Sequence, residues 1–139
     1  MFKEPGKDFH IRLSNVEGVP VVGLMGMIGK ASIKAVDSTL KRLAEAGHYN
    51  VMLNVAQASA DDWGLLGRLG RSVRDIRGHY GTVDLITGHD KTRELLRIHQ
   101  LKRLFRICRS ERQAIFLIKK LGRQPERLND VSARLLEQS

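Results

Sequence analysis

The chain has 139 residues, of which 42% are hydrophobic and 28% charged, and its formal net charge is +9. This size and composition predict one globular domain with its own core and exclude a low-complexity chain. No apolar run approaches the roughly 18 residues needed to cross a bilayer, and the polar residues 1–9 predict a cytoplasmic protein. The single cysteine, Cys108, excludes an internal disulfide, and its apolar neighbours predict a buried side chain.

The positive charge lies in the second half of the chain. Residues 1–67 carry 7 basic and 7 acidic side chains, whereas residues 68–139 carry 17 basic and 8 acidic ones. This asymmetry is typical of a solvated basic surface, or of one that binds an anionic partner such as nucleic acid, a membrane surface or an acidic protein. The cations that support an anionic partner are Arg68, Arg71, Arg74, Arg77, Lys102, Arg103, Arg106, Arg109, Lys119 and Lys120.

The first half of the chain predicts a hairpin, a helix and a buried strand. Residues 9–13 alternate between apolar and polar side chains, residues 16–20 have turn composition, and residues 21–25 form a short apolar run. From Ser32 onward apolar residues recur at helical spacing until Gly47, a suitable C-terminal cap. The mostly apolar run 50–55 is typical of a strand that is covered on both faces.

The second half continues the alternation of helices and strands. The apolar residues that predict one buried helical stripe are Leu65, Leu66, Leu69, Val73 and Ile76. A strand follows at 81–86, a helix at 91–100, and a last short strand within 101–108. Ser110 and Gln113 form a capping-box pattern that predicts a helix ending at Gly122.

The order β-β-α-β-α-β-α-β-α predicts an α/β fold. Its sheet is mixed and mostly parallel, with four to five strands covered by about four helices. The domain is expected over residues 1–122. Residues 123–139 are expected to form a polar C-terminal tail with a short helix near its end.

Several segments resemble phosphate-binding, metal-binding or catalytic motifs, but their residue spacing does not fit these motifs. Two residues separate Gly26 from Gly29 and alanine follows Lys30, whereas a phosphate-binding Walker loop needs four residues between its glycines and Ser or Thr after the lysine. The histidines and the single cysteine show no metal-ligand spacing. Adjacent carboxylates such as Asp61 and Asp62 point about 100° apart on a helix, so they do not converge on one substrate atom. We therefore expect no enzyme, no cofactor and no metal site.

The order of elements and four short segments resemble the STAS domain, the fold of anti-sigma factor antagonists. The segments are Gly26-Met-Ile-Gly29, Leu53-Asn-Val55, Asp61-Asp-Trp-Gly-Leu65 and Gln100-Leu-Lys-Arg-Leu-Phe105. The resemblance covers roughly residues 9–121. In the family, the third segment reads Asp-Ser-Ser/Thr-Gly-Leu and carries the serine that is phosphorylated.

The resemblance implies a helix start at which this chain has lost the modifiable serine. Asp61 is predicted as the N-cap, worth about 1 kcal/mol over alanine. In a relative, a phosphate on the next residue adds a charge of about −1.5 to −2. Asp62 and Trp63 occupy the serine places here, so neither accepts a phosphate as serine does. Asp62 is then a permanent partial mimic of phosphate, or Trp63 is an aromatic anchor for a partner, or both are structural and Trp63 packs against the domain.

The resemblance implies a non-catalytic regulatory domain that binds another protein, in the family often a serine kinase of the anti-sigma type. The expected partner contacts are Met27, Ile28, Asp61, Asp62, Trp63, Arg68 and Arg71. The alternative is a basic module that binds nucleic acid or a membrane surface. The sequence leaves the oligomeric state open.

Overall fold

The first two strands of the fold form a tight hairpin. The structure is a computed structural model, and it describes residues 8–78 and 80–120. Strand β1 (His10–Val16) pairs antiparallel with β2 (Val19–Ile28), as the sequence predicts. The turn residues Glu17 and Gly18 both have positive φ, 50° and 87°, which matches the turn to the twist of the flanking strands. The Gly18 N–H donates a hydrogen bond to Asn15 Oδ1 at 2.8 Å.

Helical crossovers keep the remaining strands parallel. These strands are β3 (Asn50–Ala60), β4 (Thr82–Ile86) and β5 (Arg106–Cys108), and the sheet order is β1-β2-β3-β4-β5. The α-helices are α1 (Lys30–Glu45), α2 (Gly70–Arg77), α3 (Asp90–Ile98) and α4 at residues 111–120. Short 3₁₀ helices at Trp63–Leu69 and Leu101–Arg103 precede α2 and β5. The predicted α/β fold, with its mixed sheet and order of elements, is confirmed.

The helices cover the two faces of the sheet unequally. Helices α1, α2 and α3 and the first 3₁₀ helix pack on one face, the front face, where Leu66, Leu69, Val73 and Ile76 are fully buried. This confirms most of the predicted stripe, although Leu65 is only partly buried. Helix α4 packs on the opposite face, the back face, through Ala114, Ile115 and Ile118. None of the helices in the described ranges is both long and apolar enough to span a bilayer.

Several boundaries differ from the predicted ones because of contacts between distant segments. Strands β2 and β3 run on past the predicted ends and pair with each other as far as Ile28 and Ala60. Helix α1 begins at Lys30, two residues early, because Ser32 Oγ accepts the Gly29 N–H at 3.1 Å and so stabilises the helix start. The last predicted strand shortens to three residues, since a 3₁₀ turn occupies the start of its range.

The start of α4 follows the predicted capping pattern in part. The Gln113 N–H donates to Ser110 Oγ at 3.0 Å, but Gln113 Oε1 accepts from the Arg109 N–H rather than from Ser110. The predicted helix end at Gly122 and the tail 123–139 lie outside the described residues. The domain boundary therefore stays a prediction.

A buried ion pair joins β4 to the edge strand β5. Asp84 is fully buried, and Arg106 donates to both of its carboxylate oxygens at 2.9 and 2.8 Å. Burial raises the pKa of Asp84 above its ordinary value, and the Arg106 guanidinium opposes that rise without cancelling it. The two-point contact fixes the position of β5 against its neighbour.

Cys108 lies on the back face beneath α4, and its predicted burial is confirmed. The side chain is 1% exposed and packs with Met52, Ile86 and Ile115. Burial, reinforced by the negative charge of Asp84, raises the pKa of the thiol to about 11. The reactive thiolate is therefore scarce at neutral pH, which is the behaviour of a structural cysteine.

Candidate functional site

The candidate site lies where β2 and β3 end side by side. Met27 pairs with Ser59 in the register of these two parallel strands, and the Ser59 hydroxyl lies 4.0 Å from the Met27 sulfur. Met27 is 46% exposed, which is unusual for a methionine in a central strand. Beyond Ala60, the turn at Asp61 and Asp62 leads directly into the first 3₁₀ helix. The site therefore combines an apolar side chain with two exposed carboxylates.

The sequence predicts Asp61 as the N-cap, but in the structure the N-cap is Asp62. Asp62 has extended backbone angles, φ −136° and ψ 98°, and its Oδ1 accepts the Gly64 N–H at 2.9 Å. The shift by one residue follows from the 3₁₀ helix, which begins at Trp63. Asp61 is left exposed, one residue outside the cap. Asp62 stands where the STAS motif has its phosphorylated serine. Its carboxylate thus also stabilises the start of its own helix.

Trp63 is buried, so the expectation that its indole anchors a partner is wrong for this structure. It is 6% exposed and belongs to the front-face core together with Leu66 and Leu69. The three residues are spaced by three, which places them on one side of a 3₁₀ helix. Ile28 is 2% exposed in the same core and is likewise excluded as a surface contact.

Helix α3 adds side chains to the site that the sequence did not indicate. His99, which follows the helix, lies with its Nε2 4.0 Å from Asp62 Oδ1. Gly64 permits this approach, because a Cβ there would lie 3.1 Å from His99 Nδ1 and 2.9 Å from Asp62 Oδ1. Leu95 and Ile98, on the outer side of α3, are 36% and 65% exposed. The one signal in the sequence for these exposed side chains is the spacing of Leu95 and Ile98, two apolar residues three apart on a helix of mostly polar residues.

The expected contacts Arg68 and Arg71 are exposed, but they lie further along the chain from the turn. Arg68 belongs to the 3₁₀ helix and Arg71 to the first turn of α2. At about 2 Å of rise per 3₁₀ residue, Arg68 lies roughly 12 Å beyond Asp62 along the helix axis. They extend the site rather than form its centre.

The segment Leu53-Asn-Val55, matched by the resemblance, has a structural role here. It lies inside β3, where Asn54 Nδ2 donates to Glu111 Oε2 at 2.6 Å and Asn54 Oδ1 accepts the Ala56 N–H at 2.9 Å. The bond to Glu111 ties the central strand to the start of α4, and the bond to Ala56 lies within the strand. Both polar atoms of Asn54 therefore have partners within the domain.

The carboxylate at the turn is held by the backbone and lies close to one imidazole. Asp62 Oδ1 bonds to the backbone, and the His99 Nε2 atom lies 4.0 Å from it, at the outer limit of an ion pair. Within the described ranges, no three His, Cys, Asp or Glu side chains are placed so that they could hold a metal ion. What the arrangement offers is a surface with fixed charge and exposed apolar area.

Comparison with known proteins identifies the fold. No family model and no curated protein matches the sequence. An anti-sigma factor antagonist from Mycobacterium paratuberculosis superposes with a TM-score of 0.69 at 12% identity, over 85% of this chain and 99% of that one. An anti-sigma-factor antagonist (STAS) domain protein from Planctomyces limnophilus gives 0.65 at 13% identity, over 78% and 96%. The Bacillus cell fate determinant SpoIIAA, in its phosphorylated form, gives 0.58 at 14% identity, over 78% and 99%.

These structures share their architecture with this chain across most of its length. The chain has the fold of STAS domains and anti-sigma factor antagonists, and the resemblance seen in the sequence is confirmed at that level. At these identities the likeness concerns the fold and does not extend to the side chains of the site.

Proposed function

We propose that this chain is a non-catalytic regulatory domain that binds another protein through the surface around Asp62. We call this surface the docking face and define it by the residues Met27, Asp61, Asp62, Leu95, Ile98 and His99. The observation that carries the proposal is the exposure of Met27 at the strand ends that lead into the acidic turn, together with the exposure of Ile98 next to His99, which approaches Asp62. Exposed apolar side chains rimmed by charged groups are typical of protein interaction sites.

The proposed partner is a regulatory protein, of the serine-kinase class that the STAS resemblance implies. Support comes from the fold, since the matching structures include anti-sigma factor antagonists and one protein in a phosphorylated form. Arg68 and Arg71 are proposed as outer contacts. Trp63 and Ile28 are not part of the proposal, because their burial leaves no surface for a partner to contact.

We further propose that this face is not switched by phosphorylation at residues 62 and 63. Neither side chain carries a hydroxyl group, and Asp62 holds a negative charge permanently. That charge is one unit, compared with about −1.5 to −2 for a phosphoserine. The partner therefore meets the same charge at all times, and regulation through this turn would have to come from the partner itself.

A site-specific photo-crosslinking residue tests whether the docking face contacts a partner. We expect position 27 to yield a defined crosslinked protein in cells of the source organism, because Met27 is the exposed apolar residue at the strand ends that lead into the acidic turn. Position 13 is the matched control, since Leu13 is 61% exposed on edge strand β1, away from this end of the sheet. The adducts are read by mass spectrometry.

The two positions separate the possible outcomes. A protein that crosslinks at position 27 and not at position 13 supports the docking face. The same adducts at both positions would indicate nonspecific contact, and adducts at position 13 alone would move the interface to the edge strand. Either of these results contradicts the proposal.

A further inference from the structure

A cleft lies at the opposite end of the sheet from the docking face. It is a cleft of about 280 Å³ where β4 and β5 begin, next to the last turn of α2. Its lining residues are Arg77, Gly81, Thr82, Val83, Lys102, Phe105 and Arg106. Three of these seven carry a positive charge, and the cleft lies on the basic half of the chain.

Two of the cations are held in place by the protein. The Arg106 guanidinium is fixed by its two bonds to Asp84, which involve Nε and Nη2. Arg77 Nη1 donates to the carbonyls of Arg103 and Leu104 at 3.0 and 3.2 Å, so its Nε and Nη2 remain available. Because both groups are already ordered, a ligand that binds them loses little side-chain entropy.

The charge of the cleft is not neutralised within the part of the chain that the structure describes. Among the described residues, Asp84 is the one carboxylate paired with these three cations, and it is fully buried. Three positive groups against one negative group leave an excess of two. Lys102 is exposed and contributes a mobile ammonium group at the rim. The cleft is therefore arranged to attract a doubly charged anion.

The walls of the cleft limit the size of that anion. Phe105 is 2% exposed and closes one wall. Gly81 brings bare backbone to the cleft, and it cannot be replaced, because a Cβ would lie 1.5 Å from the Tyr49 carbonyl oxygen. The volume lies just below the range of about 300–1,000 Å³ typical of sites for small molecules. A compact ligand fits better than an extended one.

We propose that this cleft binds a phosphate monoester. Its terminal group carries a charge near −2 and three acceptor oxygens, which suit a cleft lined by two arginines and one lysine. A phosphodiester offers only one charge and two free oxygens, so the long phosphodiester backbone of nucleic acid suits the cleft less well. The monoester belongs either to a soluble metabolite or to the headgroup of a lipid such as phosphatidic acid.

Titration of the full chain with phenyl phosphate, followed by amide NMR, tests the cleft. We expect saturable shifts at Gly81, Thr82 and Lys102, and much weaker binding of dimethyl phosphate, which is a diester. Lys102→Ala is expected to weaken phenyl phosphate binding about five- to tenfold, the loss of one charge-assisted contact. The matched control Lys91→Ala removes an exposed lysine from the start of α3, beyond the other end of β4, and leaves the affinity unchanged.

Vesicles distinguish the two sources of the phosphate. Sedimentation with phosphatidic acid vesicles that phenyl phosphate reverses supports a lipid headgroup, and binding of phenyl phosphate without sedimentation supports a soluble ligand. Three results would overturn the proposal: no saturable shift, equal losses in Lys102→Ala and Lys91→Ala, or equal binding of monoester and diester. Equal sedimentation with phosphatidylglycerol vesicles, whose headgroup is a diester, would overturn it as well.

Discussion

Replacing Trp63 by alanine is expected to lower the free energy of unfolding by about 3–5 kcal/mol, among the larger effects of a single substitution. The indole is 6% exposed and fills the front-face core beside Leu66 and Leu69, so its removal leaves a cavity that these neighbours cannot fill. The measurement is urea unfolding followed by circular dichroism, since the variant lacks the only tryptophan and its fluorescence. Trp63→Phe is the control and should lose much less of the free energy of unfolding, because an aromatic ring still occupies the site.

The same pair of variants separates a structural role from an interface role. A surface anchor would leave stability within about 0.5 kcal/mol of wild type while abolishing partner binding. That result for Trp63→Ala would contradict the burial seen here. Loss of stability in Trp63→Ala, together with partner binding by the folded Trp63→Phe, would confirm the structural assignment.

Replacing Arg106 by methionine is expected to destabilise the fold by about 3 kcal/mol at neutral pH. The substitution leaves Asp84, which is fully buried, without its counter-charge. The value lies at the low end for a broken buried pair, because the Arg106 side chain is 23% exposed and water reaches that side. Urea unfolding of wild type and variant in the same buffers measures the difference.

The loss of folding stability caused by Arg106→Met should grow as the pH rises. In wild type, burial already raises the pKa of Asp84 above its ordinary value, and removing the guanidinium raises it further. A carboxyl group with a raised pKa in the folded state favours folding below its unfolded pKa, and this contribution is lost as the pH rises through the folded pKa. The variant should therefore be closest to wild type in acid and furthest from it at neutral pH.

A double variant provides the control. Asp84→Leu with Arg106→Met removes both charges and fills the space with apolar groups, a replacement that is often neutral or stabilising. We expect it to be more stable at neutral pH than Arg106→Met alone and to lose the added pH dependence. A double variant as unstable as the single one would mean that the cost comes from lost packing and not from the unpaired carboxylate.

The order of the elements could be predicted because periodicity survives in a single sequence. The alternating and continuous apolar runs mark the strands, and Leu66, Leu69 and Val73 mark the helical stripe. Boundaries were less accurate where distant segments decide them. The pairing of Ile28 with Ala60 extends two strands beyond their apolar runs, and neither partner indicates the other in the sequence.

The site shows the same division between local and long-range information. The acidic turn was found from local sequence, but the change from α to 3₁₀ geometry moved the cap from Asp61 to Asp62 and turned Trp63 inward. The spacing of Trp63, Leu66 and Leu69 by three contained that information. The contribution of His99 depends on how α3 packs against the turn, and no pattern near either segment indicates it.

The affinity of the Asp62→Asn variant for the protein crosslinked at position 27 tests the central claim most directly. Asparagine is as good an N-cap as aspartate, so the variant should keep wild-type stability while losing the permanent negative charge. We predict that the partner binds Asp62→Asn about tenfold more weakly, which is about 1.4 kcal/mol. Unchanged affinity in a fully stable Asp62→Asn variant would contradict the claim that a fixed carboxylate at this turn is part of the docking face.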